Sequence, residues 1–179
     1  NYFGKHYKTD KNFEWLYHMG DIITSLDPKA KHVYQFVSTM LSWEQNDPED
    51  AIKLLTKAIE NFPNDWIFYY LRGFNYMYFL KDTEKAKEDL LAASHLPGVS
   101  PLVVSLASRK LEQLQDPRTA MQFLEAQLHT NKDPSFQSAI KNKFLDLKYK
   151  LDLEHLDKAR SIFEEKTKKV LTDINELVD

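Results

Sequence analysis

The sequence lacks several features that would point to a specific chemistry. It has no Cys among 179 residues, which excludes disulfides, thiolate zinc sites and Cys nucleophiles. It has only 4 Gly and no Gly-rich phosphate loop. The longest strongly apolar stretch, residues 66–80, is interrupted by polar residues and is shorter than the ~20 residues of a membrane-spanning helix. The net charge is −3, with no basic tract, so nucleic-acid binding is not expected.

Apolar residues are plentiful and recur at helical spacing. The chain is 42% hydrophobic and 13% aromatic, and its apolar residues repeat every three or four positions without sustained alternation. This pattern predicts an all-α fold. Three helix starts are marked by Asp47, Asp82 and Asp116, which lie 35 and 34 residues apart. Each Asp is expected to cap the helix that follows, with Pro48 and Pro117 at the first helical position.

The same period continues into the helices after these junctions. A small, large, small pattern recurs there in Ala51, Leu55 and Ala58, in Ala86, Leu90 and Ala93, and in Ala120, Leu124 and Gln127. The helix before each junction has a small residue near its middle, namely Thr39, Gly73 and Ala107, each 34 residues apart. Small residues at these places permit close helix crossings. The pattern predicts a helix-turn-helix repeat with a period near 34.

These residues resemble the tetratricopeptide repeat (TPR) family. The best matches to its pattern are Gly73, Tyr76, Ala86, Leu90, Ala93 and Pro97. The sequence departs from this pattern at three places. The first repeat has Ser38 and Thr39 in place of the usual Leu-Gly pair, and Gln127 replaces an Ala in the third repeat. The spacing from Gly73 to Ala86 is one residue longer than usual. The resemblance implies a right-handed helix-turn-helix solenoid of about three repeats with degenerate flanking helices.

The expected organisation has three parts. Residues 1–29 form a partial repeat, residues 30–132 form TPR-like repeats at about 32–65, 66–99 and 100–132, and residues 133–179 form a C-terminal helix pair, 135–151 and 156–177. The last helix carries Leu156, Phe163, Val170 and Leu177 at intervals of seven. Two interpretations follow: a capping helix that covers the last repeat, or a homodimer seam.

No catalytic or metal-binding constellation is recognisable. The six His are scattered, and neither a His-Glu-x-x-His motif nor a G-x-S-x-G elbow is present. Glu14, His18 and Asp21 share one helix face, but exposed polar side chains of an amphipathic helix explain them more simply. We therefore expect neither enzymatic activity nor a cofactor.

Recognition of another protein is the expected function. The TPR resemblance implies that the first helices of the repeats line a concave groove where partner peptides lie. The positions expected to face it are Phe36, Met40, Trp43, Tyr70, Phe74, Met77, Val104 and Leu111, together with Val33, Ile67 and Ser108. Arg72, Asn75 and Arg109 are the expected polar rim.

The sequence is also compatible with three alternatives to this function. In the first, the aromatic residues have a purely structural role and pack between repeats. In another, they line a closed pocket for a small ligand or lipid. In a third, the chain's own termini fill the groove.

A second resemblance concerns localisation. The runs 64–66, 73–76, 80–82 and 96–98 resemble a group of bacterial TPR proteins in which a hydrophobic anchor precedes a segment like Asn1–Lys5. This similarity implies a bacterial protein held at the inner membrane by a segment ahead of Asn1, or otherwise a cytoplasmic one.

Overall fold

The chain is helical throughout the part that can be described. The computed structural model describes residues 15–114, 117–168 and 170, and no strand occurs among them. The helices are α1 Trp15–Leu26, α2 Lys31–Glu44, α3 Pro48–Asn61, α4 Trp66–Asn75, α5 Thr83–Ser94, α6 Pro101–Leu114, α7 Pro117–Thr130 and α8 Pro134–Thr167. A five-residue π-helical turn, Tyr76–Leu80, extends α4. The predicted all-α fold is confirmed.

Some predicted features lie outside the described residues. These are the segment Asn1–Lys5, the cap Asp116, Glu14 of the polar cluster, and Leu177 of the heptad series.

The chain divides into two compact units, one up to Lys110 and one from Leu111 onward. The first contains α1 to α5 and most of α6, and the second contains the end of α6 with α7 and α8. The division falls inside α6, within the segment predicted as the third repeat. Among the described residues, no helix has both the length and the apolar run required to cross a bilayer.

Two predicted helix starts are confirmed by their cap hydrogen bonds. The Asp47 carboxylate accepts from the backbone N–H of Asp50, and the Asp82 carboxylate accepts from that of Lys85, both at 3.1 Å. These bonds satisfy amide donors that the first turn of a helix leaves free.

Small residues allow close helix crossings in the first unit. A Cβ atom on Gly73 would lie 3.0 Å from the Asp89 Cβ and 3.3 Å from the Ala86 carbonyl oxygen, so α4 and α5 approach closely there. The expectation for Thr39 is wrong: its side chain is exposed, and Ser38 is the buried small residue. The reason is that α2 and α4 begin 35 residues apart rather than 34.

The core of the first unit is built from small and large apolar residues in alternation. Tyr34 and Phe68 are fully buried, and their ring centroids lie 6.0 Å apart in an edge-to-face arrangement. Phe62 contacts both rings. The repeating stripes of α3 and α5 are also fully buried, and their members are Ala51, Leu55, Ala58, Ala86, Leu90 and Ala93.

The second unit corrects the expectation of a C-terminal helix pair. Residues 134–167 form one continuous helix, α8. The predicted break at residues 152–155 contains neither Gly nor Pro, so nothing stops the helix there. Asp133 caps its start by accepting from the Phe136 N–H at 2.8 Å. The buried residues of α8 all lie in its first half, at Phe136, Ile140 and Leu147.

Candidate functional site

A run of aromatic residues forms one face of α4 and of the turn that extends it. Trp66, Tyr70, Phe74 and Tyr78 are four residues apart, which places them on the same side of a helix. Successive ring centroids lie 6.2, 6.2 and 5.5 Å apart. The helix thus presents a continuous ladder of rings.

The π-helical turn gives this ladder its last step. In such a turn, backbone hydrogen bonds span five residues rather than four. The N–H of Lys81 donates to the carbonyl of Tyr76, in keeping with that pattern. The Phe74 and Tyr78 rings are nearly parallel, with an interplanar angle of 13°.

Trp43 of α2 joins the ladder from the preceding repeat. Its ring lies 5.3 Å from Tyr78, 6.2 Å from Phe74 and 5.2 Å from Phe79 by centroid distance. Phe79 in turn contacts Tyr78 edge-to-face at 5.0 Å. We call these residues the aromatic surface; its members are Trp43, Trp66, Tyr70, Phe74, Tyr78 and Phe79.

Parts of this surface are open to solvent. Trp43 is 55% exposed and Tyr78 is 48% exposed, although both rings take part in stacking. Phe36, seven residues before Trp43 on α2, is 60% exposed. Large aromatic side chains usually bury most of their area. Three exposed ones, two on α2 and one on the turn that extends α4, therefore mark a candidate contact surface.

The remaining predicted groove positions fall into two classes. Met40, Tyr70, Phe74 and Met77 are partly exposed, whereas Val104 and Leu111 are buried. Ser108 is also buried, and its hydroxyl has no hydrogen-bond partner among the described residues. Val33, Met40 and Ile67 pack against the core of the first unit. The exposed part of the predicted groove therefore belongs to α2 and α4.

Two of the three predicted rim residues point inward instead. Arg72 donates from Nε and Nη2 to the two Asp89 carboxylate oxygens, each at 2.8 Å, and from Nη1 to the Thr56 hydroxyl at 3.0 Å. This hydrogen bonding to Asp89 raises the pKa of Arg72 above its ordinary value. Asn75 is buried and accepts a hydrogen bond from Ser42. Both residues serve the packing of the helices, while Arg109 is exposed.

Three members of the site, Trp66, Tyr78 and Phe79, were not among the groove positions predicted from the sequence. Continuing the four-residue spacing from Phe74 leads to Tyr78. No sequence pattern predicts the contact of Phe79 with Trp43, because this contact depends on the π-helical turn. Lys81, directly after this turn, adds a positive charge: its ammonium lies 4.9 Å from the centroid of the Tyr78 ring.

The arrangement offers no metal chemistry in the described part of the chain. No group of three or more His, Asp and Glu side chains there could hold a metal ion. In the predicted polar cluster, the Asp21 carboxylate instead forms an ion pair with Lys57 at 2.6 Å.

Three of the four residues in the predicted self-association seam lie in the part of the chain that the structure describes. Leu156 and Val170 are exposed and Phe163 is partly buried. Self-association through these residues remains a prediction.

Comparison with known proteins gives a result at the level of fold. No family model matches this chain, and no curated protein is significantly similar in sequence. Among solved structures, the crystal structure of MamA, a TPR-like protein, is similar with a TM-score of 0.50. The fold is TPR-like. Sequence identity to MamA is 13%, over 78% of this chain and 88% of that one, so this similarity concerns the fold alone.

Proposed function

We propose that this TPR-like chain is a non-catalytic protein-interaction module that binds a peptide or helix of a partner on the aromatic surface and Phe36. The observation that carries the proposal is the exposure of Phe36 and Trp43 on α2 and of Tyr78 on the π-helical turn that extends α4. Aromatic side chains are enriched at the energetic centres of protein interfaces, since they bury much area at little cost in conformational entropy.

The exposed area is large enough to contribute to binding. An aromatic side chain has about 150–250 Å², so three that are half exposed offer about 300 Å². At about 25 cal/mol per Å², covering this area would contribute about 7 kcal/mol. Association itself costs about 4–15 kcal/mol. The aromatic contact alone would thus give weak binding, and a tight complex requires further contacts.

The packing of the rings against one another supports this role. Trp43 and Tyr78 contact neighbouring rings, which restricts the rotamers open to them before a partner arrives. A surface that is already ordered loses less entropy when it binds. The alternative of an enclosed lipid or small-ligand pocket is less well supported, because these same rings are about half exposed.

A crosslinking experiment tests the proposal. A photoreactive amino acid replaces Thr39, which is exposed on α2 between Phe36 and Trp43, and captures proteins that touch this face in cells. The captured partner is then purified, and its dissociation constant is measured against the wild type and the double variant Trp43→Ala, Tyr78→Ala. We expect the double variant to bind at least tenfold more weakly.

A matched control is available on another helix. Tyr149 of α8, in the second unit, is 67% exposed, so Tyr149→Ala removes an aromatic side chain of comparable exposure that is not a member of the aromatic surface. It should leave the affinity unchanged. Unchanged affinity in a folded Trp43→Ala, Tyr78→Ala variant would contradict the proposal.

A further inference from the structure

Lys81 occupies an unusual backbone position beside the aromatic surface. Its φ angle is 58°, in the left-handed region, where residues other than Gly, Asn and Asp are uncommon. Asn46, 35 residues earlier at the corresponding turn, has a φ of 55°. The earlier repeat thus uses a residue type that this conformation tolerates, and the later one uses a lysine.

The Lys81 ammonium is available to a partner. It lies over the half-exposed Tyr78 ring, and none of the ion pairs between described residues includes it. The adjacent Asp82 does not neutralise it, since that carboxylate accepts from the Lys85 backbone and pairs with the Lys85 ammonium at 3.2 Å.

Other basic residues of the neighbouring helices are already neutralised. Arg72 is paired with Asp89, and Lys31 at the start of α2 is paired with Asp65. The charged group that the structure places against a ring of the aromatic surface is the Lys81 ammonium, although the chain as a whole carries −3. A partner segment covering Tyr78 would exclude water around Lys81, which strengthens its attraction for an anion.

We infer that Lys81 makes the aromatic surface selective for partner segments that carry an Asp or Glu side chain next to an apolar anchor. The anchor would lie on Trp43 and Tyr78, and the carboxylate would meet the Lys81 ammonium at their edge. This inference rests on the proposed function, because it concerns the same surface. It adds charge complementarity, which supplies specificity more than affinity.

The test uses a random peptide display library selected against the full chain. Four proteins are compared: wild type, Lys81→Asn, Lys81→Glu, and the double variant Trp43→Ala, Tyr78→Ala. Lys81→Asn installs the residue of the preceding repeat at this turn, so it should fold at least as stably as the wild type. Circular dichroism and denaturant unfolding check that it does.

The wild type should enrich peptides in which an acidic residue lies near an aromatic or aliphatic anchor. Lys81→Asn should keep the anchor and lose the acidic preference, and Lys81→Glu should favour a basic residue instead. For the best peptide, replacing its Glu by Gln should weaken binding about tenfold to the wild type and hardly at all to Lys81→Asn.

The outcomes separate the two proposals. If wild type and Lys81→Asn enrich the same anchored peptides with equal acid content, and these are lost in the aromatic double variant, the inference about Lys81 is wrong and the binding surface stands. If no peptide is enriched, or enrichment survives the aromatic double variant, the proposed function itself is wrong.

Discussion

The ion pair between Arg72 and Asp89 offers a sharp test of how the repeat is held together. Asp89 of α5 is buried, with its side chain 8% exposed, and Arg72 of α4 is 20% exposed. The two hydrogen bonds between them are parallel and both 2.8 Å long. The substitution Asp89→Ala removes the carboxylate and leaves the guanidinium with Thr56 as its remaining side-chain partner.

The expected loss follows from this geometry. Removing one partner of a buried ion pair typically costs about 3–5 kcal/mol, because a charge is left without compensation. Arg72 is a fifth exposed and its head can turn toward water, so we expect about 2–4 kcal/mol for Asp89→Ala. Arg72→Lys keeps the charge but loses the planar two-bond contact, and it should cost about half as much.

Urea unfolding followed by circular dichroism measures these free energies of unfolding. A double-mutant cycle with Arg72→Ala should give a coupling energy of about 2 kcal/mol. The paired replacement Arg72→Met, Asp89→Leu should lie within about 1–2 kcal/mol of the wild type, since no charge is left buried. Asp157→Ala is the control, because Asp157 and its ion-pair partner Arg160 are 71% and 55% exposed, so losing this pair should matter little.

A small effect of Asp89→Ala would contradict a stabilising role of this ion pair. If this variant loses less than about 1 kcal/mol, at an unchanged slope of free energy against urea, the pair does not hold α4 and α5 together.

Three further predictions concern glycines and a helix cap. Gly20→Ala should destabilise the chain by about 1–3 kcal/mol, because the new Cβ would lie 2.7 Å from a Val37 methyl carbon. The free energy of unfolding measures this loss, and a stabilised variant would contradict the close crossing. Gly98→Ala meets no neighbouring atom, so its loss of about 1 kcal/mol should come only from the left-handed backbone, at a φ of +73°; Gly98→Asn should lose less. The hydrogen bond from the Lys85 backbone N–H lowers the pKa of Asp82, and the Lys85 ammonium lowers it further. The stability that this cap contributes is therefore present above the ordinary pKa of Asp, about 4, and is lost as pH falls through the lowered value. Acid titration of helicity should therefore be less steep in Asp82→Asn than in the wild type, and identical curves would show that the cap contributes nothing.

The repeat architecture could be predicted because it depends on local signals. An Asp before a helix, a Pro in its first turn and a small residue in a stripe each act within a few residues of sequence. Asp47 and Asp82 cap the helices expected of them, and Gly73 lies at a close crossing. The helix pair expected at the C-terminus was wrong, because residues 152–155, where the break was predicted, contain neither Gly nor Pro to end the helix.

The candidate site was less predictable, since exposure depends on what packs against each face. Helical spacing places Tyr70, Phe74 and Val104 in similar positions, but burial removes Val104 and leaves the other two partly exposed. The sequence alone suggests that the Arg72 side chain faces solvent. In the structure it pairs with Asp89, which lies 17 residues later in the chain. No local rule connects these two side chains.

The sequence by itself determined that the chain is all-α, where helices α3, α5 and α7 begin, and that Gly73 lies at a close helix crossing. These properties follow from backbone hydrogen bonding and side-chain size, which act over short distances along the chain. Only the tertiary structure decided which aromatic residues remain open, that Arg72 and Asn75 serve packing, and that Lys81 lies over Tyr78. Those properties depend on atoms from different helices meeting in space, and the amino-acid pattern of any one helix does not contain them.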